Sequence, residues 1–175
     1  LRQEEVRAIS RRYLVSNGFD GALTCIGVVI GAFLTGVTDG TTVIKIGLGA
    51  AVGLTTSGVW SVWEIERAEK LAELERIEDA MLTDLRGTAV EQDKVAARAI
   101  NAVASGLGPL VSILVPLLPF LAVGSLFSML TATATSVALG TGILFLFGSY
   151  MGSISGQHWY VAGFRMALAG VAVAA

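Results

Sequence analysis

Residues 18–37 form an uncharged run broken by one ionisable side chain, Asp20. A helix needs roughly 20 residues to cross a hydrocarbon core about 30 Å thick, and this run is long enough. Lipid offers no partners for backbone N–H and C=O groups, so such a run has to satisfy them internally, as a helix. Asp20 is the one Asp or Glu inside an apolar stretch of this kind. A carboxylate at mid-helix depth costs about 2.5–3.5 kcal/mol on insertion scales, which makes it a functional candidate. The competing reading is an Asp near the helix start that snorkels to water and favours the positive end of the helix dipole.

The same pattern recurs four more times, with spans expected at 42–63, 100–123, 125–147 and 158–175. Only 15% of residues are charged, against about 25% in soluble domains. The fold class expected is therefore all-α, an integral membrane protein with five transmembrane helices. Residues 1–16 read as a short amphipathic helix ahead of the first span. Thr38-Asp39-Gly40-Thr41 reads as a tight turn between spans one and two. Pro109, Pro116 and Pro119 fall in the third span, where neighbouring helices can re-satisfy the carbonyls they free.

Charge placement sets the orientation. Of the 12 Lys and Arg residues, four lie in 1–17 and six in 64–98. Five spans put both segments on one side, and the positive-inside rule makes that side the cytosol. Tyr13, Trp60, Trp63, Tyr150, Trp159 and Tyr160 then fall at cytosolic helix ends as an aromatic belt. The expected location is a prokaryotic cell membrane, with the N-terminus and residues 64–99 cytosolic. Arg165 lies about two turns into the fifth span and must either snorkel or find a carboxylate, with Asp20 at similar depth one option.

The chain thus divides into an N-terminal helix with spans one and two (1–63), an acidic helical module (64–99) and spans three to five (100–175). The module is helical by its three- and four-residue apolar spacing, up to a break at Arg86-Gly87-Thr88. Residues 64–98 hold ten acidic against six basic side chains, a net of −4 that disfavours nucleic acid as a partner. Glu66 and Glu69 stand three apart, as do Glu75 and Glu78, so each pair shares a helix face. Carboxylate pairs at that spacing can chelate a divalent metal through hard oxygens. The plain alternative is a solvated helix with a Glu66–Lys70 ion pair.

No nucleophile–base set, phosphate loop, dinucleotide fingerprint or CxxC pair is visible, so no enzyme is expected. Cys25 reads as a small buried hydrophobe and His158 as an interfacial residue.

Several stretches together resemble the vacuolar iron transporter family, in a short prokaryotic-type form. They are Asn17-Gly18-Phe19-Asp20-Gly21 with Gly27-Val28-Val29-Ile30-Gly31, Ser61-Val62 leading into a Glu-rich helix, Val115-Pro116-Leu117-Leu118-Pro119-Phe120, and Arg165-Met166-Ala167-Leu168. The resemblance implies a homodimer whose first two spans line a pathway for Fe²⁺ or Mn²⁺, exchanged for protons. Asp20 matches the first-span aspartate of that pathway. Glu66, Glu69, Glu75 and Glu78 stand for the cytosolic metal-gathering cluster. Gly58 stands where the family carries a second intramembrane glutamate. The expected function is proton-coupled divalent metal transport, with the metal as cargo and no resident cofactor. The alternative is a membrane metal sensor or scaffold that does not transport.

Overall fold

The computed structural model describes residues 2–81 and 89–174. They form five α-helices: α1 (Arg2–Leu34), α2 (Gly40–Met81), α3 (Ala89–Leu117), α4 (Met129–Ile154) and α5 (Trp159–Ala174). No strand forms among the described residues, which hold one isolated bridge between Val123 and Phe127. Four stretches are long and apolar enough to cross a membrane: Val6–Leu34, Gly40–Ile77, Val95–Ala122 and Met129–Ile154. The fifth helix is apolar but shorter, at 16 residues or about 24 Å. The chain is an all-α membrane protein, as its hydropathy pattern indicates.

The helices are longer than the spans read from the sequence. The 33 residues of α1 make one helix of about 50 Å, with no boundary between the amphipathic segment and the first span. Gly18 and Gly21 do not interrupt it, because they serve contact rather than a turn. A side chain at Gly21 would meet the Pro109 backbone of α3 at 2.6 Å. Reciprocally, a side chain at Gly108 would strike the Leu14 carbonyl. The 42 residues of α2 likewise run unbroken through Glu64, so the polar stretch continues the second span. The helix is about 63 Å long, twice a hydrocarbon core, and about half of it extends beyond one. The break expected at Arg86-Gly87-Thr88 lies outside the described residues.

α3 contains Pro109 and Pro116 and gives way to a 3-10 turn, Leu118–Ala122, with Pro119 in its first turn. α4 begins and ends later than expected, at Met129 and Ile154. Ser128 caps its start by accepting from the Thr131 N–H at 3.2 Å. Between α1 and α2, Gly36 takes φ +77°, and the Val37 N–H returns to the Ala32 carbonyl at 3.1 Å to close α1. Asp39 then caps α2.

The helix ends fall at two levels. Gly40 packs against the Phe120 carbonyl, which brings the start of α2 to the 3-10 turn that follows α3. At the opposite end, Ser10 on α1 donates to Asn101 on α3 at 2.6 Å, and Arg98 lies over Trp63. The α4–α5 hairpin belongs to this second end, since Phe147 of α4 is level with Gly18 of α1. The main core joins Cys25 and Val29 of α1 to Val43 and Ala51 of α2 and Ile113 of α3. Cys25 is buried there as expected, its thiol 3.7 Å from the Ile113 carbonyl.

Candidate functional site

Along α3, Arg98, Asn101, Ser105 and Ser112 recur at intervals of three, four and seven, which places them on one helix face. That face turns inward: Asn101, Ser105 and Ser112 are all buried. It meets α1 and α2 along a polar seam. Asn17 on α1 donates to the Ser105 hydroxyl and, at 3.4 Å, to the Ser105 carbonyl. The hydroxyls of Ser112 and of Thr55 on α2 are buried without a partner among the described residues. The expected pathway residues included none of this α3 set. Its signal was present in the spacing of polar residues within a span otherwise dominated by its prolines.

Gly58 sits on this seam. A Cβ there would lie 3.0 Å from the Ser105 hydroxyl and 3.3 Å from the Asn17 amide. The position at which the resemblance puts a glutamate is therefore filled from the other two helices.

At the Tyr13 and Trp63 end of the seam lies Glu66, 1% exposed. The Tyr13 hydroxyl reaches its carboxylate, and its Oε2 is buried with no hydrogen-bond partner among the described residues. Arg98 closes this end, its guanidinium 3.8 Å from the centre of the Trp63 ring, a cation–π contact, with its Nε buried and unpartnered. A buried carboxylate oxygen without a donor is an uncommon expense in a folded protein, and it leaves one strong acceptor available.

The other acidic residues of the expected cluster lie differently. Glu69 and Glu75 are exposed, and the side chain of Glu78 lies outside the described residues. Glu66 and Glu69 thus part company, one turned to α1 and the other outward. The Glu66–Lys70 pair does not form; Lys70 pairs instead with Glu73 at 3.3 Å, and Arg67 with Glu64 at 3.6 Å. Glu66 is unavailable to Lys70 because it is buried against Tyr13. Among the described residues no three His, Cys, Asp or Glu side chains converge on a metal-sized position.

Asp20 stands two turns along α1 from Tyr13, about 10 Å further in. It is exposed, and among the described residues it forms no hydrogen bond or ion pair. Thr24, Gly27 and Gly31 continue its stripe at i+4, i+7 and i+11. The stripe is open, flanked by α2, which Asn17 touches, and by α5, whose Val173 is 4.0 Å from a Cβ built at Gly27. A side chain at Gly31, or at Gly49 and Gly53 of α2, would meet nothing within 4 Å. Of the four long spans, α2 is the least covered, with 22% of its apolar window buried. Arg165 does not pair with Asp20. It lines a groove between α4 and α5.

The sequence model of the VIT family matches residues 61–175. An uncharacterized protein of Methanocaldococcus jannaschii is 28% identical over 166 residues, covering 93% of this chain and 84% of its own. No solved structure matches the chain.

Proposed function

The chain belongs to the VIT family, which implies metal ion transport across a membrane, and from that premise we propose that it carries Fe²⁺ or Mn²⁺ in exchange for protons as a homodimer. The observation that carries this reading is Asp20, exposed and without a partner among the described residues, at membrane depth on a stripe of small residues. Left against lipid, its charge costs about 2.5–3.5 kcal/mol. A second copy docked on the α1–α2 face removes the stripe from lipid and brings two Asp20 carboxylates to one axis, as a twofold interface requires. Gly27, Gly31, Gly49 and Gly53 leave room for close helix approach there.

Two facing carboxylates offer hard oxygen ligands suited to Mn²⁺ and Fe²⁺. A carboxylate must be ionised to ligate metal, so metal and proton compete for the same atoms. That competition is the coupling. The Thr24 hydroxyl, one turn along the stripe, is placed to complete a coordination shell. Glu66, with one oxygen free, receives metal at the cytosolic mouth, and Glu69, Glu75 and Glu78 raise the local cation concentration outside it.

Gly58 supports a second reading, in which the protein binds metal without moving it. With Asn17 and Ser105 filling the glutamate position, one carboxylate per subunit remains at that depth. Proteoliposomes loaded with a metal-sensitive dye and challenged with Fe²⁺, Mn²⁺ and Ca²⁺ across a pH gradient separate the two. Transport requires dye response to Fe²⁺ or Mn²⁺ with counterflow of protons. Binding without dye response leaves the sensor reading.

A further inference from the structure

The α4–α5 hairpin carries a feature that the pathway does not use. A cavity of about 250 Å³ lies between the two helices, lined by Met151, Ser155, Gln157, Arg165 and Met166 among others. It arises from close helix approach: a side chain at Gly152 would meet the Ala162 Cβ at 2.7 Å, so the larger residues on either side of this contact diverge. Gly156 takes φ +69°, and the Gln157 N–H returns to the Gly152 carbonyl at 3.1 Å, which fixes the polar rim.

Arg165 is the cation of this groove. It is exposed and has no ion pair or hydrogen bond among the described residues. Its neighbours on the outward face of α5 are Val161, Phe164 and Leu168, which are 53%, 64% and 64% exposed, so that face meets lipid tails. Arg165 lies six residues beyond Trp159, about 9 Å along the helix, within reach of the headgroup level marked by Trp159, Tyr160 and Tyr150. A guanidinium at that depth takes an anion with two acceptor oxygens in one plane, the geometry of a phosphodiester. No acidic side chain among the described residues lines the groove to pair a choline or ethanolamine ammonium, which favours a headgroup of net negative charge. The apolar Met151 and Met166 suit the glycerol and first methylenes that follow such a phosphate.

We infer that the α4–α5 groove binds the headgroup of an anionic phospholipid, with Arg165 on the phosphate, Ser155 and Gln157 at the rim, and the acyl chains along the outward face of α5. The lipid comes from the leaflet that also contacts the Tyr13 and Trp63 end of the bundle. None of the groove's lining residues lies on α1, so the inference holds whether or not the protein transports.

The test is native mass spectrometry of the full chain in detergent, titrated with dioleoylphosphatidylglycerol or dioleoylphosphatidylcholine. Wild type should retain phosphatidylglycerol about fivefold over phosphatidylcholine, the contribution of one interfacial cation. Arg165→Gln should abolish the preference, and Arg12→Gln, an exposed arginine at the same end of the bundle, should leave it. Ser155→Trp fills the groove without touching the charge and should also abolish it, so either variant alone decides. The inference is overturned if these variants keep the preference, if wild type shows none, or if millimolar inorganic phosphate displaces the lipid, which would make this a site for free phosphate.

Discussion

The Asn17 amide binds Ser105 at two atoms, hydroxyl and carbonyl, and the pair fills the space beside Gly58. One hydrogen-bonded contact between α1 and α3 thereby decides what α2 can carry at that level.

Gly58→Glu therefore does not simply restore a family carboxylate. The new side chain overpacks the seam, at about 1–3 kcal/mol, and breaks a bond contributing about 0.5–1.5 kcal/mol. Better helix propensity returns at most about 1 kcal/mol. Thermal unfolding in detergent should show a net loss of about 0.5–4.5 kcal/mol. Ser105→Gly in the same chain should recover part of it, giving a coupling in the double-mutant cycle. Independent, additive effects would mean that Gly58 does not owe its place to this pair.

Asp39 gives a pH-dependent cap on α2. Side-chain hydrogen bonds from Thr41 and then Thr42, with their backbone N–H groups, lower its pKa to about 2. A carboxylate whose folded pKa is depressed adds stability above its unfolded value and loses it as pH falls through the folded one. The gap in melting temperature between wild type and Asp39→Ala should be constant above about pH 4 and shrink as pH falls towards about 2. A gap that persists unchanged in acid would assign the cap to the threonines instead.

Much of this architecture was open to reading from composition and spacing. Apolar runs and the buried Cys25 need only local rules, whereas the turn expected at residues 38–41 falls at Thr35 and Gly36, and Gly40 and Thr41 already begin α2. Helix continuity was not, because a change from polar to apolar residues within α1, or the reverse within α2, looks like a boundary although no backbone signal stops the helix. Nor could spacing separate Glu66 from Glu69, since three residues apart they differ by one edge of a helix. Burial on that edge depends on Tyr13, which lies 53 positions away. The Arg98–Asn101–Ser105–Ser112 face was legible in principle, because its period is helical.

The carboxylates of α2 should not be equivalent in metal binding. Glu66→Gln removes a buried oxygen, so isothermal titration with Mn²⁺ should show affinity reduced by about tenfold or more, following the dependence of affinity on ligand charge. Glu69→Gln removes an exposed charge and should change little. Affinity should fall with pH, since ligating carboxylates must be ionised. Equal effects of the two substitutions would place the gathering site in solvent.

The dimer face can be mapped by cross-linking. In a Cys25→Ala background, Gly31→Cys should form a disulfide between copies in native membranes, because its surroundings are open and the stripe faces the partner. Leu168→Cys, on the outward face of α5, should not. Cross-linking through Leu168 alone would put the interface on the wrong side of the bundle.

The central claim concerns Asp20, and Asp20→Asn tests it with the least change of shape. A helix-start aspartate with no other role predicts a stability loss of about 0.3–1 kcal/mol and intact flux. A carboxylate shared by metal and proton predicts that flux vanishes while folding and dimerisation persist. The measurement is initial Mn²⁺ uptake into proteoliposomes under a fixed pH gradient, wild type beside Asp20→Asn at equal protein density. The expected result is uptake by the variant no faster than in protein-free liposomes; uptake at the wild-type rate contradicts the account.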